Sequence, residues 1–239
     1  TGVQTCAFRS GEEITKLTGI NRQDNFLLAG CPPCQGFSSL GKRDAKDEKN
    51  ELVYEYLRII SELEPAFILM ENVPGMSTGV GKEIFKKVVK KLEESYYVEY
   101  KTLNAADYGV PQIRKRLVLH GIRKDVCKKI GVNIETVNLL PVPTHSKQKK
   151  KGYKKWVTVE KAILDLPALE AGESYGEGTI KNHATRNLSQ TNIDRLQEIR
   201  LHGGNRELIS EELQLECHKK ENVFYTDTYG IMDPYKPAP

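Results

Sequence analysis

Two cysteines stand in the segment Cys31-Pro32-Pro33-Cys34-Gln35-Gly36-Phe37-Ser38, directly after a short apolar run. A thiol so placed can act as a nucleophile once neighbouring cations stabilise its thiolate. Taken alone, Cys34 also reads as a small buried hydrophobe. Cys31 and Cys34 further form a Cys-x-x-Cys pair, the place where a redox motif would sit. Structural zinc wants four ligands, and the nearest candidates, Cys217 and His218, are adjacent in sequence and far along the chain. A second apolar run discharges Glu71-Asn72-Val73-Pro74-Gly75, which adds a carboxyl group and an amide. A third segment, Asn104 to Arg116, carries Gln112, Arg114 and Arg116 at alternate positions. In an extended chain these three project to one face, where guanidinium forks suit a base edge or phosphates. By itself such a row is also an ordinary exposed basic strand.

Elements must hold these groups together. The runs Asp24 to Gly30 and Ala66 to Met70 read as buried strands, each stopped by turn residues. Between them Leu52, Tyr56, Ile59, Ile60 and Leu63 recur at helical spacing, so the segment predicts a βαβ unit with parallel strands. A basic amphipathic helix with Ile84, Phe85, Val88 and Leu92 on one face follows. Two more strands are expected around Tyr97 to Leu103 and Leu117 to Ile122. The fold class expected is α/β, a partial doubly wound sheet over residues 1–128. Ligands of such sheets lie beyond the carboxyl ends of the strands, which would place the thiol and the carboxyl group in one cleft. After Ile130 the pattern changes: Pro141, Pro143 and Pro167 interrupt, and only Val159 to Leu164 and Ile193 to Ile199 look helical. Residues 129–230 therefore read as a second, smaller, irregular domain, and residues 231–239 as the start of a return segment.

The 239 residues carry 36 Lys plus Arg against 32 Asp plus Glu, a formal net charge of +4. The run from His145 to Lys155 holds six lysines and no acid, so without it the acids outnumber the bases. One local element thus sets the sign of the chain, as a solvated loop or as a contact for a polyanion. With 38% hydrophobic residues the chain can build a core, and no stretch approaches the roughly 18 apolar residues of a membrane span. Five scattered cysteines do not make a disulfide framework, which points to a reducing, cytoplasmic setting.

In order and spacing, the three motifs together closely resemble the DNA (cytosine-5) methyltransferase family, bacterial modification type. The residues that carry the likeness are Pro32-Pro33-Cys34-Gln35-Gly36-Phe37-Ser38, Glu71-Asn72-Val73-Pro74-Gly75 and Gln112-Ile113-Arg114-Lys115-Arg116. Asp47 to Tyr54 looks like the family's loop-to-helix motif, and Tyr229 to Pro239 like the motif after its recognition region. The resemblance implies an α/β domain of the Rossmann-like methyltransferase type, S-adenosylmethionine as cofactor and double-stranded DNA as partner. Cys34 would add to C6 of a flipped cytosine, making an enamine that attacks the methyl sulfonium. Glu71 would serve N3 and the exocyclic amine, Asn72 would hold its loop, and Gln35 would belong to the catalytic segment. Arg114 would donate to the cytosine O2, and Arg116 would brace the cysteine loop or a phosphate. Phe37 to Asn50 resembles the family's mobile loop, with Ser38, Lys42 and Arg43 toward DNA. Gln112 and the lysines Lys149, Lys150 and Lys151 would add further DNA contacts.

The family's Phe-x-Gly-x-Gly cofactor loop is absent, and Glu13 and Leu52 are the cofactor candidates that remain. The closing C-terminal helix and strand are absent too, and Ile231 stands where the family has arginine. A fragment is therefore expected, inactive alone, with missing segments or a second chain supplying the cofactor loop. Three other readings stay open: a tRNA cytosine-5 methyltransferase, a catalytically dead DNA-binding paralogue, and a redox protein.

Overall fold

The computed structural model describes residues 10–21, 24–33, 52–176, 180–203, 208–215 and 236–237. Helix α1 (Gly11–Thr18) opens on a capping box: Ser10 Oγ accepts from the Glu13 amide at 3.2 Å, and Glu13 Oε2 accepts from the Ser10 amide at 2.9 Å. It ends at Gly19, whose φ of 72° is the left-handed conformation that closes many helices. Strand β1 (Leu27–Gly30), helix α2 (Leu52–Leu63) and strand β2 (Phe67–Asn72) follow, and β1 pairs with β2 in parallel, Leu27 opposite Phe67 and Gly30 opposite Met70. The expected βαβ unit is present.

Helix α3 (Lys82–Leu92), strand β3 (Tyr96–Asn104), strand β4 (Lys115–Arg123) and helix α4 (Lys124–Ile130) complete the main layer. The strand order is β1-β2-β4-β3, with β4 antiparallel to both neighbours. The sheet is thus mixed, where a doubly wound sheet was expected. The reason lies in the connection: only residues 105–114 join β3 to β4, too few for a crossover, so the chain must reverse. A two-residue pair, β5 (His145–Ser146) with β6 (Lys154–Lys155), carries the lysine run between its strands. Helices α5 (Val159–Ile163) and α6 (Gln190–Leu201) stand where helical spacing predicts them.

One face of the sheet is covered by α2 and α3. Val53, Leu57, Ile60, Phe85 and Val88 pack there on Ile68, Met70, Leu117 and Leu119. Each such side chain contributes about 1.5–3 kcal/mol by leaving water. On the other face Ala66, Ile122, Val126 and Cys127 form a smaller cluster under Tyr97 and Leu139. Gly30 is required by packing: a Cβ there would lie 2.5 Å from the Tyr56 ring. That close approach lets the Tyr56 hydroxyl donate to the carbonyls of Leu28 at 3.1 Å and Leu69 at 2.9 Å, clasping β1 to β2. Burial holds the Tyr56 phenol well above its ordinary pKa and the Tyr96 phenol at about 12, so both stay protonated donors at neutral pH.

The chain divides into two compact units, residues 1–155 and 156–239. In the second, an isolated bridge joins Ser174 to Ala184, and Arg195 Nε donates to the Leu213 carbonyl at 2.5 Å below α6. No helix among the described residues is long and apolar enough to cross a membrane.

Candidate active site

The parallel pairing of β1 and β2 brings their carboxyl ends level, so the segment after Gly30 and the segment after Asn72 leave the sheet side by side. Asn72 lies on the helix-covered face and is almost fully buried, at 2% exposure. A buried amide must be paired, and this one is paired twice: Nδ2 donates to the Pro32 carbonyl at 3.0 Å, and Oδ1 accepts from the Val73 amide at 2.9 Å. Asn72 thereby ties the start of the cysteine segment to the end of β2. Pro32, its partner, is buried, while Cys31 and Pro33 are exposed. Cys34, Gln35, Ser38, Lys42 and Arg43 lie outside the described residues.

Replacing Asn72 with alanine strands the Pro32 carbonyl and the Val73 amide, a loss of about 1–3 kcal/mol for each unsatisfied buried group. Asn72→Ala is expected to lower the denaturant midpoint of the purified protein. Asn72→Asp is expected to lower it further, because its second oxygen faces the Pro32 carbonyl without a proton to share.

Glu71 projects to the opposite face of β2, beside β4, where Val118 is its cross-strand partner and Leu117 is that of Asn72. The next residue of β4 outward is Arg116, on the same face as Glu71, and its Nε lies 2.9 Å from Glu71 Oε1. Both are half-buried, and Arg116 Nη1 also donates to the Lys115 carbonyl at 2.8 Å. An ion pair this accessible adds at most about 1 kcal/mol to stability. Its consequence is orientation: the carboxyl group of Glu71 is held at the strand end by a fixed fork. One pair further down the same face is His120, whose pKa burial lowers, so it is neutral at pH 7 and adds no charge beside the pair.

The expected row of three is only partly present. β4 begins at Lys115, so Arg116 alone belongs to the strand, while Gln112 is half-buried and Arg114 exposed in the approach to it. That approach is nevertheless fixed, because the Arg114 carbonyl accepts from the Ala105 amide at 3.0 Å. Lys149, Lys150 and Lys151 are exposed at the turn between β5 and β6, with Lys150 Nζ 4.3 Å from the Tyr153 ring centroid.

Glu13 lies in the first turn of α1 and Leu52 at the start of α2. The Glu13 carboxylate is engaged by its own helix cap, and α1 meets α2 at Glu62, whose carboxylate accepts from the Gly11 amide. Leu52 begins α2, ten residues or ~15 Å along the helix axis from that contact. A cavity of about 480 Å³ lies away from this site: Ser61, Glu64, Tyr96, Arg123 and Lys128 line it at the opposite end of the strands. Arg123 there is paired with Asp125 and Lys124 donates to the Glu93 carbonyl, so it is read as a surface hollow. No group of three His, Cys, Asp or Glu side chains among the described residues is placed to hold a metal.

Sequence reasoning missed the Arg116–Glu71 pair. The signal that could have found it was the sheet register, which a single chain of letters does not contain.

Comparison with known proteins gives a consistent result. The family profile of C-5 cytosine-specific DNA methylases matches residues 9–231. The chain is 35% identical over 231 residues to the type II methylase M.HgiDII of Herpetosiphon aurantiacus, covering 96% of this chain and 59% of that protein. It is 36% identical over 165 residues to the type II methyltransferase M.XorII of Xanthomonas oryzae pv. oryzae, covering 68% of this chain and 34% of the relative. The chain thus spans from about a third to three-fifths of the length of the curated relatives it matches. A solved E. coli structure, described as a candidate DNA modification methyltransferase encoded within a prophage, shares the fold with a TM-score of 0.55 at 23% identity. That likeness covers 98% of this chain and 67% of that one.

Proposed function

Because the chain belongs to the C-5 cytosine-specific DNA methylase family, we propose that the whole protein is a DNA (cytosine-5) methyltransferase of the type II modification kind. The observation that carries this reading is the meeting of Pro32, Asn72, Glu71 and Arg116 at one end of the β1–β2–β4 sheet, two residues before Cys34.

Cytosine C6 is electron-poor, and a thiolate from Cys34 forms a bond to it. The pair of the C5–C6 double bond moves through the ring toward N3, where a hydrogen bond or proton from Glu71 meets the developing charge. Arg116 keeps Glu71 aimed at that edge. Its guanidinium being committed there, the donor to the cytosine O2 falls to Arg114. Asn72 holds the cysteine segment against β2, so that the nucleophile and the carboxyl group share one frame. Since the reacting carbon is stacked inside a duplex, the base must be extruded, and Ser38, Lys42, Arg43 and Gln112 are assigned to the DNA around it. Lys149, Lys150 and Lys151 supply phosphate contacts whose strength falls with salt. Residues 129–230 are assigned to target recognition.

Family membership implies S-adenosylmethionine as methyl donor. The two candidates for it are Glu13, in the first turn of α1, and Leu52, at the start of α2.

The test is to express the protein at its full natural length in a host free of cytosine methylation. Digestion of the host DNA with a panel of methylation-sensitive nucleases, and hydrolysis to nucleosides, should reveal 5-methylcytosine at one recognition site. No 5-methylcytosine in DNA overturns the reading, and 5-methylcytosine confined to tRNA transfers it to the RNA branch.

A further inference from the structure

The lysine turn and the arginine segment are joined through a single small turn. Between β3 and the Gln112–Arg116 segment the chain makes one 3-10 turn, Ala105–Tyr108, closed by Gly109 in the left-handed region at φ 89°. Ala105 locks this turn inward, its amide donating to the Arg114 carbonyl at 3.0 Å and its carbonyl accepting from Val110 at 3.3 Å. Outward, the same turn is gripped by the segment that leads to the lysines. The Asp107 carbonyl accepts from the Thr144 amide at 2.9 Å, and the Tyr108 hydroxyl donates to the Pro141 carbonyl at 3.0 Å. The imidazole of His145 lies directly over Gly109: a Cβ added to that glycine would be 2.8 Å from His145 Cε1. Thr144 Oγ1, 2.8 Å from His145 Nδ1, fixes the ring in that place.

From there the path runs straight to the lysines. The Thr144 carbonyl accepts from the Lys154 amide at 3.0 Å, His145 pairs with Lys154 in the β5–β6 ladder, and the Lys150 carbonyl accepts from the Tyr153 amide to close the turn. The links are hydrogen bonds, most of them between backbone groups, and one close packing contact, so displacement at Lys149–Lys151 is carried to the backbone of Arg114.

We propose that His145 is a positioning residue, whose packing on Gly109 makes the lysine turn and the Gln112–Arg116 segment one rigid body. Phosphates gripped by the lysines then set where Arg114 meets the base. This rests on the proposed DNA methyltransferase function. It assigns a role to a residue outside the three motifs, and it accounts for a glycine that packing as well as φ requires at position 109.

The experiment uses the protein at full natural length with a target duplex, and reads two quantities. The first is hydrogen exchange of the amides of residues 110–116 with and without duplex, which needs no turnover. The second is the single-turnover rate of methyl transfer at saturating duplex. In the unmodified protein duplex should slow exchange at 110–116. In His145→Ala that protection should fall at least fivefold while duplex affinity stays within twofold, and the transfer rate should drop about tenfold. His145→Phe, which keeps a ring over Gly109, should recover most of both. Gly109→Ala should reproduce the defect, and Gly109→Ala combined with His145→Ala should be no worse than either alone, the non-additivity expected of two groups in contact.

Unchanged protection and rate in His145→Ala overturn the proposal, as does a rate loss matched by an equal loss of affinity. Failure of the phenylalanine variant to recover either quantity also overturns it. Protection that appears in the unmodified protein without any methyl transfer sinks the methyltransferase reading and leaves the joint standing.

Discussion

Cys34→Ser should abolish the covalent adduct that the full protein forms with duplex containing 5-fluorocytosine, while Cys31→Ser should retain it. Addition of the Cys34 thiolate to C6 makes an intermediate that normally resolves when the proton at C5 departs. Fluorine at C5 cannot leave as a cation, so the sulfur–carbon bond persists and the complex survives denaturing electrophoresis. Serine replaces a thiol that reaches its anion near neutral pH with a hydroxyl that does not, and loss of a covalent nucleophile lowers turnover on the order of 10⁴-fold or more. Cys31 is exposed one residue before the Pro32 carbonyl that Asn72 anchors. Its loss leaves that anchor intact, and turnover should stay within a few-fold. An adduct retained by Cys34→Ser and lost with Cys31→Ser would reassign the nucleophile.

The next largest effect is expected at Glu71. Glutamine preserves the shape and one hydrogen bond but can neither take up nor release a proton at N3, and acid–base groups of this kind supply about 10²–10⁴-fold of rate. Glu71→Gln should lose that much in the single-turnover rate and keep its affinity for duplex within about twofold, because the carboxyl group acts on charge that exists only in the transition state. Arg116→Ala should lose less, and the double variant should lose no more than Glu71→Gln alone, since an arginine that acts by aiming a carboxylate has nothing left to aim. An affinity loss with turnover intact would make Glu71 a DNA anchor.

How far the sequence reached follows from what each signal encodes. Apolar periodicity is local, so β1, α2 and β2 were legible within a few residues, as was α3 from Ile84, Phe85, Val88 and Leu92. Strand direction is not local: nothing in Lys115–Arg123 says that it runs against β2, and the mixed sheet emerged only from the short 105–114 connection. Helix α1 escapes the apolar-periodicity reading although Ser10 and Glu13 spell a capping box, because Glu13 is assigned outward as a cofactor candidate. That acid turns back to its own helix. The motifs were legible as strings, and Asn72 was expected to hold a loop. Which loop it holds, and that Arg116 reaches Glu71, depend on cross-strand register. His145 carried no signal beyond the lysines that follow it.

The order of strands has a consequence for how the protein assembles itself. β3 and β4 are each nine residues long, neighbours in sequence and paired along their whole length, so their ladder closes a short loop. β1 is four residues long and outermost among the described strands, and meets β2 only after everything from Cys31 to Ala66 has been brought round. Closing the longer loop costs more chain entropy and returns fewer bonds, so the β3–β4 ladder is expected to nucleate and β1 to dock late. On that order the strand that bears Arg116 is expected to form before the strand that leads to the cysteine segment docks. Pulse-labelled hydrogen exchange during refolding should then protect the amides of residues 96–104 and 115–123 before those of 27–30.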